Sequence, residues 1–299
     1  LEQAPYYLNI SPNFADTLWG QAMVDHKDPK QHIREAYGEV ARTGTSTPAH
    51  TETGCCGGVS AKVQTICGGG NDPKDSLNLG YTQADLDAVG DGANLGLGCG
   101  NPVALAALQP GQVVVDLGSG AGFDCFLAAK KVSATGHVIG VDMTPDMLAK
   151  ARANAQKLGL SHVEFRLGEI EHLPVANAVA DVVISNCVVN LSNQKQQVFH
   201  EIFRVLKPAG RIYISDVVAL KEMPENMTQD MDLVSCCIGG AELVDHVYAY
   251  MEHAGFIDIH IDINTGSGEF IKEWVPGSKA EDYVASAKIM ATKPKAACC

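Results

Sequence analysis

Three cysteine-bearing stretches stand where a chain could do soft-ligand chemistry: Cys99 in GLGCGNP, Cys187 in VISNCVVNL and the doublet Cys236-Cys237 in LVSCCIGGAEL. Thiolates are soft ligands and strong nucleophiles, so three of them brought together would select a thiophilic acceptor. Asn101 and Pro102 make a helix start, which puts Cys99 just ahead of a helix N-terminus, where the positive end of the dipole favours thiolate. Cys187 follows the buried-strand pattern ADVVISN and so stands beyond a strand's carboxyl end. Neighbours on a helix point about 100° apart, so only one of Cys236 and Cys237 can face a given site. The chain has 10 cysteines but no C-x-x-C pair, which speaks against a zinc site. Cys125, inside FDCFLAAKK, reads as a small buried hydrophobe, and the tail pair Cys298-Cys299 has no motif around it.

A second constellation concerns a cofactor. VVVDLGSGAG places Asp116 at a strand tip ahead of Gly118, Gly120 and Gly122. A dinucleotide fingerprint would continue with glycine where this chain has Phe123, which weakens a pyrophosphate reading. An acid ahead of G-x-G-x-G instead resembles the first motif of S-adenosylmethionine-dependent methyltransferases, which implies that the glycines let the backbone approach the cofactor's amino-acid part. Asp142 ends the next strand, 24 residues after Gly118, and is placed to accept hydrogen bonds from ribose hydroxyls. By the same resemblance Glu169, in LGEIEHLP, falls at the adenine contact. Met143, Ile170 and Asn186 complete the expected cofactor-binding set.

Positioning these residues requires strand ends gathered on one edge. From about residue 111 the sequence alternates buried-strand and amphipathic-helix patterns: VVVDL, FDCFLAAKKV, HVIGVD, TPDMLAKARANAQKLG with Pro145 in its first turn, VEFRLGE, ADVVISN, KQQVFHEIFRVLKPAG and RIYISDV. Such alternation predicts an α/β fold with a doubly wound, mostly parallel sheet, whose ligands sit beyond the carboxyl ends of the strands. The expected organisation is an N-terminal helical segment and glycine-rich cysteine loop over 1–80, a cofactor-binding core over 81–218, and an acceptor-covering α+β addition over 219–299. The first of these contains the helical stretch PKQHIREAYGEVART; the last contains ENMTQDMDLVSCC and AELVDHVYAYMEHAG as helices and FIDIHIDI and YVASAKIMATK as strands.

Composition narrows the partners. A net charge of −13 over 299 residues and no basic patch argue against nucleic acid. No apolar run approaches the roughly 20 residues of a bilayer span, and Leu1 to Gly20 lacks the basic start and apolar middle of a signal peptide. The expectation is a cytoplasmic protein without membrane attachment, a monomer whose cysteines are kept reduced.

Taken together, GLGCGNP, DLGSGAGFDCF, VIGVDMTPDML, GEIEHLP, SNCVVNL and CIGGA closely resemble the arsenite S-adenosylmethionine methyltransferases, from about His32 to Lys293. The resemblance implies the class I methyltransferase fold, S-adenosylmethionine as cofactor, and arsenite and methylarsenite as substrates. It places the arsenic-binding thiols on Cys99, Cys187 and Cys237. Cys55, Cys56 and Cys67 compete for a further N-terminal thiol, and Cys67 is expected to join the catalytic cysteines. It also implies that protein thiols supply reducing equivalents through a disulfide, restored by glutathione or a thioredoxin-like dithiol. Two other readings remain open at this stage: a methyltransferase acting on another small molecule with the cysteines in its core, and a non-catalytic metalloid-binding protein.

Overall fold

The computed structural model describes residues 28–44, 75–90 and 92–296. Cys55, Cys56, Cys67, Cys298 and Cys299 lie outside the described residues. The helices are α1 (Pro29–Thr43), α2 (Asp75–Asn78), α3 (Gln83–Val89), α4 (Pro102–Ala106), α5 (Phe123–Val132), α6 (Pro145–Leu158), α7 (Lys195–Val205), α8 (Glu225–Thr228), α9 (Met231–Ser235), α10 (Val244–Ala254) and α11 (Gly268–Trp274). The strands are β1 (Val113–Leu117), β2 (His137–Asp142), β3 (Val163–Leu167), β4 (Ala180–Asn186), β5 (Leu206–Ala219), β6 (Glu242–Leu243), β7 (Ile257–Ile263) and β8 (Val284–Thr292). They form one sheet in the order β3-β2-β1-β4-β5-β8-β7, with β6 beside β5. Strands β1 to β5 run parallel, and β8 runs antiparallel between β5 and β7. No helix among the described residues is long and apolar enough to cross a membrane.

Alternation along the strands builds two cores, because successive side chains point to opposite faces. Val115, Ile139 and Val183 pack with Val198, Phe199 and Ile202 of α7 and Met251 of α10. Val114, Val138 and Val182 face the other way, against Phe126 and Ala129 of α5 and Leu148 and Ala151 of α6. A third apolar cluster lies at the carboxyl ends of β4 and β5 and contains Cys99, Cys187, Cys236 and Cys237 with Met227, Leu233 and Trp274.

Two expected helices differ. KQQVFHEIFRVLKPAG stops being helical at Val205, and Leu206 opens the 14-residue strand β5. Pro208 is the cause, since it disfavours a helical conformation at the residue before it and cannot donate an intrahelical hydrogen bond. ENMTQDMDLVSCC divides into α8 and α9, because the Asp230 side chain accepts from the backbone N–H groups of Asp232 and Leu233 and so caps a new helix. The sheet itself continues through residues 257–292, so a boundary at 218 divides the sequence rather than the sheet.

Candidate active site

The turn after β1 shapes a cleft that encloses about 1120 Å³ of empty space, open solvent included. Gly118 has φ 67°, and a Cβ there would come within 2.5 Å of Val188, so glycine is required both by conformation and by close approach. Asp142 fixes the turn by accepting from Gly120 N (2.9 Å) and Thr144 N (2.7 Å). Of the expected cofactor residues, Asp116, Gly118, Gly120, Asp142, Met143, Ile170 and Asn186 line the cleft. Gly122 and Glu169 do not. A Cβ on Gly122 would press into Phe126 and Phe165, so its role is packing of α5 on the sheet.

Glu169 turns away to α1, where it accepts from Lys30 Nζ (2.8 Å) and Arg34 Nη2 (3.3 Å). Glu171, two residues on, is the glutamate in the wall. Burial alone would raise its pKa, but Ser192 Oγ at 2.5 Å and Lys30 Nζ at 3.1 Å outweigh this and hold it below the usual carboxylate value. Sequence reasoning missed this wall and its partner. Lys30, Ile33 and Tyr37 of α1 also line the cleft, and their i, i+3, i+7 spacing on one helix face was the available signal.

Behind the turn lies a buried acidic pair. Asp124 accepts from Tyr81 OH (2.7 Å) and from Asn186 Nδ2 (3.2 Å), while Cys125 Sγ donates to Asp116 Oδ2 at 3.1 Å. Burial pushes Asp124 up to about 6, and burial together with the nearby Asp124 pushes Asp116 well above the usual carboxylate value. Burial also drives the Cys125 thiol up, consistent with an unreactive core residue. A cationic ligand group beside the pair would favour its ionised form. Ser119 Oγ, also in the wall, is buried without a hydrogen-bond partner among the described residues. An acid pair, an orphaned hydroxyl, a side-chain-free turn and a carboxylate at the end of β2 fit a ligand carrying an ammonium group and a ribose.

The thiols converge next to this cleft. Cys99 and Cys187 form a disulfide across 88 residues of sequence, with Cα atoms 6.0 Å apart. Cys237 Sγ donates to the Cys187 carbonyl at 2.8 Å. Cys187 lines the cleft, so the thiol cluster opens onto the cofactor side. Cys99 precedes α4 as its motif implied: its N–H donates to Asn186 Oδ1 (3.0 Å) and its carbonyl accepts from Ser286 Oγ (3.0 Å). Cys236 and Cys237 follow the end of α9 rather than lying within it, and Cys237 takes a left-handed φ of 57°. Gly240, in the CIGGA motif, is required by approach: a Cβ would sit 2.1 Å from the Asn190 carbonyl.

A doubly wound sheet whose first strand ends in an acid and a glycine turn, with a second acid at the end of β2, defines a class I S-adenosylmethionine-dependent methyltransferase. A family model described as a methyltransferase domain matches residues 108–255. The arsenite methyltransferase of Halobacterium salinarum is 47% identical over 280 residues, spanning 92% of this chain and 70% of that protein. That of Aquipseudomonas alcaligenes is 42% identical over 168 residues, 54% of this chain and 48% of that protein. The crystal structure of an arsenic(III) S-adenosylmethionine methyltransferase from Chlamydomonas reinhardtii matches with a TM-score of 0.57 at 31% identity, covering 72% of this chain and 74% of that one. The chain belongs to the arsenite methyltransferase family.

Proposed function

We infer that this protein methylates trivalent arsenic held on Cys99, Cys187 and Cys237, and that it accepts both arsenite and methylarsenite. The observation that carries this reading is the meeting of three thiol-bearing segments beside the cofactor cleft, with Cys187 in its wall. Arsenite carries hydroxyl groups on arsenic. Each thiol that binds passes its proton to a departing hydroxyl, which leaves as water, and three thiols give a pyramidal tris-thiolate that retains the arsenic lone pair. Soft sulfur replaces hard oxygen, which suits the acceptor. S-adenosylmethionine, when bound, supplies an electrophilic sulfonium methyl group.

The chain's own contribution is placement. Asp142 would accept from the ribose hydroxyls, Asp116 and Asp124 would meet the ammonium, and the cysteine segments would hold arsenic beside the cleft wall at Cys187. Orienting two reactive centres in this way can lower a barrier by about 7 to 11 kcal/mol, and little acid–base machinery is then needed. A methylated arsenic centre has given up its lone pair. Two thiols oxidised to a disulfide return two electrons to it and restore the trivalent state. The Cys99–Cys187 disulfide fits that role. A glutathione or thioredoxin-like reductant would reopen it, two electrons and two protons passing to the protein sulfurs while the reductant becomes a disulfide. We further propose that the enzyme is cytoplasmic and monomeric, with residues 1–80 delivering additional thiols, 81–218 binding cofactor and 219–299 covering the acceptor.

Protein incubated with arsenite, a thiol reductant and methyl-labelled S-adenosylmethionine should yield labelled arsenicals on chromatography. Cys187→Ser should abolish them while leaving cofactor binding largely intact by calorimetry, because a hydroxyl cannot replace a soft ligand. Full turnover by Cys187→Ser would sink the arsenic–thiolate reading.

A further inference from the structure

The three cysteines are held by two separate brackets, and one of them turns on a residue outside the thiol set. Asn190 lies in the 3-10 turn Val189–Leu191 that follows Cys187. The two hydrogens of its Nδ2 are spread over three acceptors, Asp216 Oδ1 (3.0 Å), the Val217 carbonyl (2.5 Å) and the Cys237 carbonyl (3.2 Å), one of them shared. One buried amide therefore ties the segment after Cys187 to β5 and to Cys237 itself. Both cysteines sit at left-handed φ, 53° and 57°, which a non-glycine residue keeps only under external support. The Gly240 backbone closes against the Asn190 carbonyl on the other side.

Asp216 braces this amide. Its two oxygens accept from Val189 N (3.0 Å), Asn190 N (3.4 Å), Val217 N (2.8 Å) and Asn190 Nδ2. A carboxylate has about four acceptor positions, and all are engaged. Although an Asp216 oxygen lies within 4.8 Å of the Cys99 and Cys187 sulfurs, its lone pairs are directed at these donors, so it serves as a support and not as a fourth ligand. Cys99 is tied to the Cys187 segment through Asn186, and its carbonyl has a separate support in Ser286 Oγ on β8, which does not touch the Asn190–Asp216 bracket.

We propose that Asn190, braced by Asp216, is the positioning residue that sets the spacing of Cys187 and Cys237, while Ser286 separately positions Cys99. This rests on the arsenic-binding reading given above. It makes the two brackets separable by ligand valence. A monosubstituted arsenical such as phenylarsine oxide takes two thiolates and needs only Cys187 and Cys237; arsenite takes three and needs Cys99 as well.

The full chain, reduced with a phosphine that is then removed, would be titrated with phenylarsine oxide and with arsenite, and S-adenosylhomocysteine affinity would be measured alongside. Asn190→Ala should weaken both arsenicals by about tenfold or more, as expected when a buried amide that includes a charged partner is lost. Ser286→Ala should weaken arsenite by several-fold and leave phenylarsine oxide unchanged. S-adenosylhomocysteine affinity should hold in every variant, since Asn190 and Ser286 lie outside the cleft wall. If Asn190→Ala loses S-adenosylhomocysteine binding, the comparison passes to Asn190→Ser, whose shorter side chain offers one hydrogen where the amide offers two and so cannot bridge Asp216 and Cys237; it should give the same loss. Wild-type affinity for phenylarsine oxide in the folded Asn190 variant overturns the proposal. Failure of the reduced wild-type protein to bind either arsenical overturns the arsenic reading on which it stands.

Discussion

Asp116 and Asp124 are two buried acids side by side in the cleft, and an ammonium bound against them would make cofactor binding a proton-linked event. Both carboxyls are raised, chiefly by burial, with Asp124 up to about 6 against 3.8 for an ordinary aspartate. In the protein without cofactor their contribution to stability is fully present below the unfolded value and is lost as pH rises through the folded one. A cationic ammonium in the cleft favours the ionised pair and expels the proton. Affinity for S-adenosylhomocysteine should therefore rise with pH between about 5 and 7.5, by up to about tenfold per unit, and Asp124→Asn should flatten the slope. Calorimetry across that range tests it; a flat wild-type profile would mean that neither acid meets the ammonium. Asp116 was legible from sequence because a strand-tip acid before glycines has few other uses. Asp124 was not, for it reads as an ordinary residue in the first turn of a helix. The Glu169 and Glu171 pair shows a related gap. Their order in GEIEHLP says nothing about which side chain turns inward, and the choice depends on Lys30 and Arg34 reaching across from a helix over 130 residues earlier.

Among the elements, α1 has the most consequential placement. It rests on α6 through Val40, Ala41 and Met147, is tied by Arg42 to Asp146, and presents Lys30, Ile33 and Tyr37 to the cleft. Lys30→Met would leave the buried Glu171 with one fewer cationic donor and release the start of the helix. S-adenosylhomocysteine should then bind about tenfold more weakly and dissociate faster in stopped flow, an effect the size of a lost charge-assisted hydrogen bond. Unchanged dissociation would show that α1 is scaffolding rather than wall. The bounds of α1 were readable because proline in the first turn and apolar residues at helical spacing agree with one another. The break between α8 and α9 escaped because Asp230 is equally at home on a helix surface and at a cap, and its side-chain hydrogen bonds decide between them.

For the molecule as a whole, alternation of patterns identified the strands, yet it could not order them: a strand's sequence records that both faces are buried, not which neighbours it has. The thiols raise the same question of long-range assembly. Cys55, Cys56 and Cys67 lie outside the described residues, but trivalent arsenic has three positions open to thiolates before the first methylation and two afterwards. Replacing all three by serine should impair turnover of arsenite far more than that of monomethylarsenite, measured by arsenical chromatography; equal loss on both would end this division of labour. Strand β8 is inserted between β5 and β7, and its Ser286 holds the carbonyl of Cys99, 187 residues earlier. A nascent chain halted on the ribosome before residue 284 could already pair β1 to β5 around the glycine turn, yet the sheet would have a gap and the Cys99 carbonyl would lack the Ser286 hydroxyl. Translation thus finishes the cofactor half of this enzyme well before it can finish the thiol half.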